Sequence, residues 1–263
     1  MKKSLIMGAL LVVAAAAYAT DKVYDISTAA NWYGKDVKAG QNAGTIVVSK
    51  PAIIQAKVMI PIDDKHTYTF SGSAIAPAGK VGGTTLTGYY LFDKNKKSIS
   101  QTNVISLAKS ETELAEAAKK GDKTIKIKAN AKWKPAGHHW VAFNYVDKGI
   151  SREFSTSSVR GVKKEGDVMT VTFASGIQKD YPAGTKVRIH LSGSYYYSSI
   201  FPVKATDSKF SKTKVQKDFW PGTAYITPIV LTNWLVKAGT DKATIETVYK
   251  DMKVTVKVKE IKK

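Results

Sequence analysis

Trp32, Tyr89, Tyr195, Tyr197, Trp220 and Trp234 are the side chains in this chain whose type bears most directly on recognition. A flat ring can cover the apolar C–H face of a pyranose while neighbouring polar groups bond its hydroxyls. These residues therefore point to sugar binding by stacking, with no bond made or broken. In Tyr195-Tyr196-Tyr197 an extended backbone sets the first and third rings on one face and the second on the other. A second candidate set is cationic. Lys126, Lys128, Lys186 and Arg188 recur at every second position, and strand alternation would gather them on one exposed side as an anion-binding surface.

Bond-making chemistry finds less support. The chain contains no G-x-S-x-G elbow, no P-loop and no H-E-x-x-H pair. His138 and His139 are adjacent, which on a strand sends them to opposite faces and makes joint metal ligation awkward. Asp63-Asp64 near His66 has the composition of an acid–base pair, but a turn at a strand start accounts for the same acids. There is no cysteine, so thiol nucleophiles, thiolate metal sites and disulfides are excluded and stability must come from core area. These residues predict a binding protein with no catalytic residues, no cofactor and no metal set.

The stretch that must position everything else is DFWPGTAYITPIVLTNW, residues 218–234. Pro221-Gly222 presets a reversal, and from Ala224 to Leu231 nearly every side chain is apolar or aromatic. A strand with one wet face would alternate, so both faces of this one are predicted to be covered. Pro228 cannot donate to a ladder and belongs at a bulge or beside an edge. Thr67–Ala76, Thr85–Phe92 and the final strand Met252–Lys259 have strand patterning, the last with Met252, Val254, Val256 and Val258 on one face. The one short helix is expected over Ser110–Gly121, where Ser110 and Glu113 form a capping-box pattern, Leu114, Ala117 and Ala118 a stripe, and Gly121 the C-terminal stop. Beyond it, tightly spaced hairpins between Lys119 and Leu191 predict a small β-barrel-like domain inserted into a β-sandwich made of residues 20–118 and 192–263.

Charge and the N-terminus bound the setting. Lys2-Lys3, the apolar run Leu5–Ala17 and Ala17-Tyr18-Ala19 have the three-part pattern of a secretory leader over residues 1–19. The mature protein is therefore expected outside the cytoplasm, periplasmic or extracellular, with no membrane span. Formal net charge is +20. Residues 119–191 hold 15 Lys and Arg against 6 Asp and Glu. An exported basic protein points to a polyanionic glycan or an anionic envelope, and away from nucleic acid.

Lys65-His66-Thr67-Tyr68-Thr69-Phe70-Ser71-Gly72, Tyr90-Leu91-Phe92-Asp93-Lys94-Asn95-Lys96-Lys97, Trp220-Pro221-Gly222-Thr223 and Lys250-Asp251-Met252-Lys253-Val254 follow one another in an order that resembles the galactose-binding-like jelly rolls. Those serve as carbohydrate-binding modules in bacterial secreted glycan-degrading proteins. The resemblance covers about two thirds of the mature chain. It implies a jelly-roll β-sandwich, a sugar site lined by aromatic rings, no catalysis of its own and often a structural calcium ion. Such modules commonly carry paired acids before the final strand, where this chain has Asp251 alone. A structural or adhesive envelope protein is the alternative reading, and a polysaccharide hydrolase or lyase a third.

Overall fold

The computed structural model describes residues 21–259, so the leader predicted over 1–19 lies outside the described residues. The chain divides into two compact units. One contains the residues up to Tyr89, then Tyr197–Phe219 and the stretch from Ala224 onward; the other contains Tyr90–Tyr196 with Trp220–Thr223. The second unit takes in the span 119–191 and begins earlier because Ile105 and Leu107 are already bonded through the backbone to Leu191 and Ile189.

The first unit opens with β1 (Lys22–Asp25), β2 (Trp32–Tyr33), β3 (Val37–Ala39), β4 (Thr45–Val48), β5 (Ala52–Ala56), β6 (Ile60–Pro61), β7 (His66–Ile75) and β8 (Thr84–Phe92). The second unit adds β9 (Ser98–Ile99), β10 (Thr112–Glu113), β11 (Thr124–Lys128), β12 (His139–Phe143), β13 (Val159–Glu165), β14 (Val168–Phe173) and β15 (Lys186–Leu191). The chain then runs through β16 (Tyr196–Pro202), β17 (Ser208–Val215), β18 (Tyr225–Leu235) and β19 (Thr247–Val258). One sheet has the order β17-β7-β19-β4-β3, with β1 also on β19; the other is β16-β8-β18-β5-β2, with β6 on β18 and β9 on β8. Leaving the short strands aside, β4, β19, β7 and β17 form one layer and β5, β18, β8 and β16 the other. Two interleaved four-stranded layers in that order are an eight-strand jelly roll. The chain is all-β, a jelly-roll β-sandwich, with the second unit inserted between β8 and β16.

Core chemistry explains the pairing. β18 is buried continuously from Ile226 to Asn233, on both faces as its unbroken apolar run requires. Pro228 falls between the ladder to β6, at Tyr225–Ile226, and the ladder to β5, at Ile229–Thr232. Phe70 meets Tyr89 at 6.0 Å and Phe210 edge-on at 5.3 Å, while Tyr89 meets Phe219 edge-on at 5.4 Å. Tyr249 of β19 crosses between the sheets, donating to Thr232 Oγ1 at 2.6 Å with Thr85 Oγ1 at 3.0 Å. In β19, Thr247 and Tyr249 are buried, and so are Met252 and Val254. A strict two-residue period cannot bury both pairs. A bulge between Lys250 and Lys253, with Asp251 at φ 51°, shifts the phase between them.

The second unit consists of two three-stranded antiparallel sheets, β10-β15-β12 and β11-β14-β13, which do not close into a barrel. Leu114, Ile125, Ile127, Trp133, Val141 and Ile189 belong to its single apolar core. Phe143 stacks on Tyr181 at 4.1 Å.

The helix expected over Ser110–Gly121 is not formed, and the short α-helix lies instead at Gln101–Val104. Ser110 donates its hydroxyl to Leu107 O and accepts from Ile189 N–H. Leu114 and Ala118 bridge to Ile127 and Tyr181 as extended backbone. Helix propensity contributes only a few tenths of a kcal/mol per residue. Burial of Leu114 in the core contributes about 2 kcal/mol, and the tertiary pairing wins.

Candidate functional site

Burial divides the six aromatic candidates. Trp32 is 3% exposed and its indole N–H donates to Ile26 O at 2.6 Å. Tyr89 is fully buried in the core. Neither can offer a ring face to a ligand, because each ring is already packed on both sides by the jelly roll; both are corrected from binding residues to core residues. Tyr195 is half-buried against Tyr90 at 5.5 Å, and Trp220 is half-buried against Tyr196 at 5.7 Å. Tyr197 is exposed on β16 and Trp234 is 56% exposed near the end of β18. Tyr197 and Trp234 belong to the first unit, Tyr195 and Trp220 to the second.

The cationic set is also divided. Lys126 and Lys128 point outward from β11 and pair with Glu116, at 2.9 Å, and Glu113. Lys186 is exposed opposite Glu113 in the β10–β15 register. Arg188 does share the outward face of β15, but the loop after β12 covers it, leaving it 6% exposed. Its guanidinium donates to Val146 O and His190 Nε2, lies 3.5 Å from Asp147 and sits over the Tyr145 ring. Arg188 is therefore a buried structural cation, and the one-sided anion surface of four residues is not assembled. Asp63 accepts from Lys65 N–H at 2.9 Å and bonds His66 Nδ1 at 2.7 Å, which is a turn-closing role. His138 is exposed, whereas His139 is buried with Nδ1 beside Lys134 O. Calcium requires six to eight oxygens. Among the described residues no three His, Cys, Asp or Glu converge.

A different set of residues combines rings with hydrogen-bonding groups. In the second unit, a cleft of about 340 Å³ is lined by Ser100, Thr102, Asn103, Trp140, Phe154 and Ser192–Ser194. Trp140 stands on the outward face of β12, the alternate residues Val141 and Phe143 filling the core. Phe154 is carried on the returning loop by a bridge to Ala142. Opposite the rings, Asn103 Oδ1 accepts from Ser100 N–H at 2.8 Å and from Ser100 Oγ at 2.9 Å, and its amide donates to Ser151 O at 2.9 Å. Gly193 N–H donates to Thr102 Oγ1 at 3.2 Å. A Cβ at Gly193 would lie 2.8 Å from the end of the Gln101 side chain, which would have to move aside.

The cleft rests on a buried polar pair. Arg188 Nε can only donate, so His190 Nε2 accepts at 2.8 Å, and Nδ1–H donates to Thr102 O at 2.6 Å. Burial, with the Arg188 charge as a smaller cause, pushes the His190 pKa down to about 4 against the raising effect of the Thr102 bond. The imidazole is thus neutral at pH 7 and fixes the backbone that presents Thr102. Chemically, the cleft offers ring faces, hydroxyls and a fixed amide, with no charged side chain. The signal for the outward face of Trp140 was the alternation His139, Val141, Phe143 against Trp140, and Ser100-x-x-Asn103 was a local cap pattern that went unread.

Two further clefts lie on the jelly roll. One, of about 490 Å³, has Val47, Val248 and Ile75 at its floor with Lys38, Gln41, Asn42 and Glu246 among its lining residues; the other, of about 400 Å³, includes Ser71, Ser73, Lys209 and Lys253 and contains Asp251. Neither contains a Trp or Tyr.

No family model and no curated protein matches the chain. Among solved structures it is similar to VP17, a capsid protein of bacteriophage P23-77, at 8% identity over 92% of this chain and 99% of that one. The TM-score is 0.16, too low to bear on fold or function.

Proposed function

We propose that this protein is a secreted, non-catalytic carbohydrate-binding protein whose second unit takes a sugar in the Trp140–Phe154 cleft. One observation carries the reading: two aromatic rings stand beside Ser100, Thr102, Ser192 and Ser194 hydroxyls and an Asn103 amide held by three hydrogen bonds. Rings cover the C–H face of a pyranose, and the polar groups exchange bonds with its hydroxyls without ordering cost, since they are already oriented. The Trp140 cleft has no carboxylate among its lining residues, and the two on the jelly roll have one each. Glycoside hydrolysis normally needs two at a defined separation. The ligand class is a polysaccharide, and an uncharged lining favours its neutral sugars.

The test is a glycan array probed with the mature protein, followed by titration of the best ligand against Trp140→Ala and Asn103→Ala. Trp140→Ala is expected to weaken binding by about 1 to 3 kcal/mol, by analogy with aromatic hot spots. Both variants should retain the wild-type unfolding midpoint within a few degrees. An array without a single ligand would remove the carbohydrate reading. A ligand that binds Trp140→Ala as tightly as wild type would remove this cleft.

A further inference from the structure

We infer that the exposed edge of the jelly roll at β16 is a self-association surface, through which a second copy of this chain pairs antiparallel and joins two sheets into one.

β16 is the terminal strand of its sheet, paired to β8 on one side and to no strand of the described residues on the other. Natural proteins block such edges with lysines, prolines or bulges, because an open ladder is a template for another chain. The edge strand of the opposite sheet, β17, carries Lys209, Lys212 and Lys214 in Ser208–Val215. β16 has the sequence YYSSIFP, and no charged residue occurs from Leu191 to Val203 in a chain of net charge +20. Ile200 is 65% exposed, the highest value among the large apolar side chains of the described residues, and Tyr197 is 40% exposed on the same strand.

Charge selects the occupant. Two copies of a protein this basic repel each other wherever lysines face lysines. They can meet along an uncharged strip, whereas an acidic partner would be matched by the lysine-bearing edge instead. Register supports the same choice. Residues directly opposite each other in an antiparallel pair share a face, so a two-fold axis normal to the sheet must pass through a residue position. Placed at Ser199, the midpoint of Tyr196–Pro202, the axis lets the whole strand pair. Tyr197 then faces Phe201 of the second copy, and Ile200 faces its Ser198. Both exposed apolar side chains gain a cross-strand neighbour, the kind of pair that stabilises sheets. Pro202 falls at the end of the ladder, where its missing N–H removes at most one terminal bond.

The absence of cysteine makes the test clean, because any disulfide comes from the introduced residue. Ser199→Cys on the axis faces its own copy at a Cα separation of about 4.5 to 5.5 Å, inside disulfide reach. The mature protein is expected to show a concentration-dependent mass rising to twice that of the chain in sedimentation or light scattering. Ile200→Lys should be monomeric at the same concentrations, with the unfolding midpoint that wild type shows at dilutions where it too is monomeric. Mild oxidation should convert Ser199→Cys, but not Lys212→Cys on β17, to a covalent dimer. A wild type that is monomeric throughout, a dimer that survives Ile200→Lys, or failure of Ser199→Cys to cross-link would each overturn the proposal.

Discussion

His190 shows how a single buried side chain can set the pH range of the protein. Its folded pKa of about 4 lies below the ordinary 6.5, so between those values the unfolded chain binds a proton that the folded chain refuses. Stability from this group is complete above about pH 6.5 and is lost as pH falls through the window towards 4. The full effect is on the order of 3 kcal/mol, from about 1.4 kcal/mol for each pKa unit. Protonation would also set two cations side by side, because Arg188 Nε lies 2.8 Å from the ring. Wild type should therefore lose more stability than His190→Gln between pH 7 and pH 5, read from denaturant midpoints. Parallel losses would show that acid sensitivity comes from other groups. None of this was legible in the sequence, where His190 is one of four histidines and neither the Thr102 carbonyl nor the covering loop can be seen. The same holds for Trp32: an aromatic residue is easily found, but whether its ring is core or surface depends on partners such as Ile26 O and β5, which composition does not reveal.

At the scale of elements, legibility followed the range of the interaction. The unbroken apolar run of β18 announced two covered faces, because that signal is local to one strand, whereas Pro228, expected at a bulge or beside an edge, falls between the ladders to β6 and β5. The segment Ser110–Gly121 failed for the opposite reason. Its helix signals are local, but Leu114 and Ala118 are held by Ile127 and Tyr181, and Leu114 N–H donates to Thr185 O at 2.9 Å. Gly121 does take a positive φ, of 97°, but as the end of an extended segment. Leu114→Ala should accordingly cost about 2 to 5 kcal/mol as a core truncation. Ala115→Val, at a half-buried position whose N–H already donates to Lys126 O at 2.9 Å, should change stability by less than about 0.5 kcal/mol, since a β-branched side chain suits extended backbone. Denaturant midpoints of the two variants check this, and a penalty for Ala115→Val well above that of ordinary surface substitutions would argue for helix after all.

For the whole molecule, the change from long alternating strands to tight hairpins led to an expected boundary at Lys119, whereas the second compact unit starts at Tyr90, within β8, which runs through that point without a turn. Net charge was legible as a total but not as a surface: Lys126 and Lys128 are countered by Glu116 and Glu113, and Arg188 is buried. That arrangement separates two modes of association by their response to salt. The Trp140 cleft has no charged lining residue, so stacking and hydroxyl bonding there act at contact range and should hold between about 0.05 M and about 0.5 M salt. A polyanion would instead respond to the +20 chain over a Debye length of about 10 Å at 0.1 M, and its binding should fall steeply over the same range. Replacing Lys126 and Lys128 together by alanine should leave the unfolding midpoint close to that of wild type, as expected for exposed pairs, and should leave a neutral glycan bound as before. The measurement is titration of one neutral and one anionic polysaccharide at both salt concentrations, with wild type, Trp140→Ala and the double lysine variant. A neutral ligand that weakens with salt as strongly as the anionic one would mean that charge, and not the rings at Trp140 and Phe154, governs recognition.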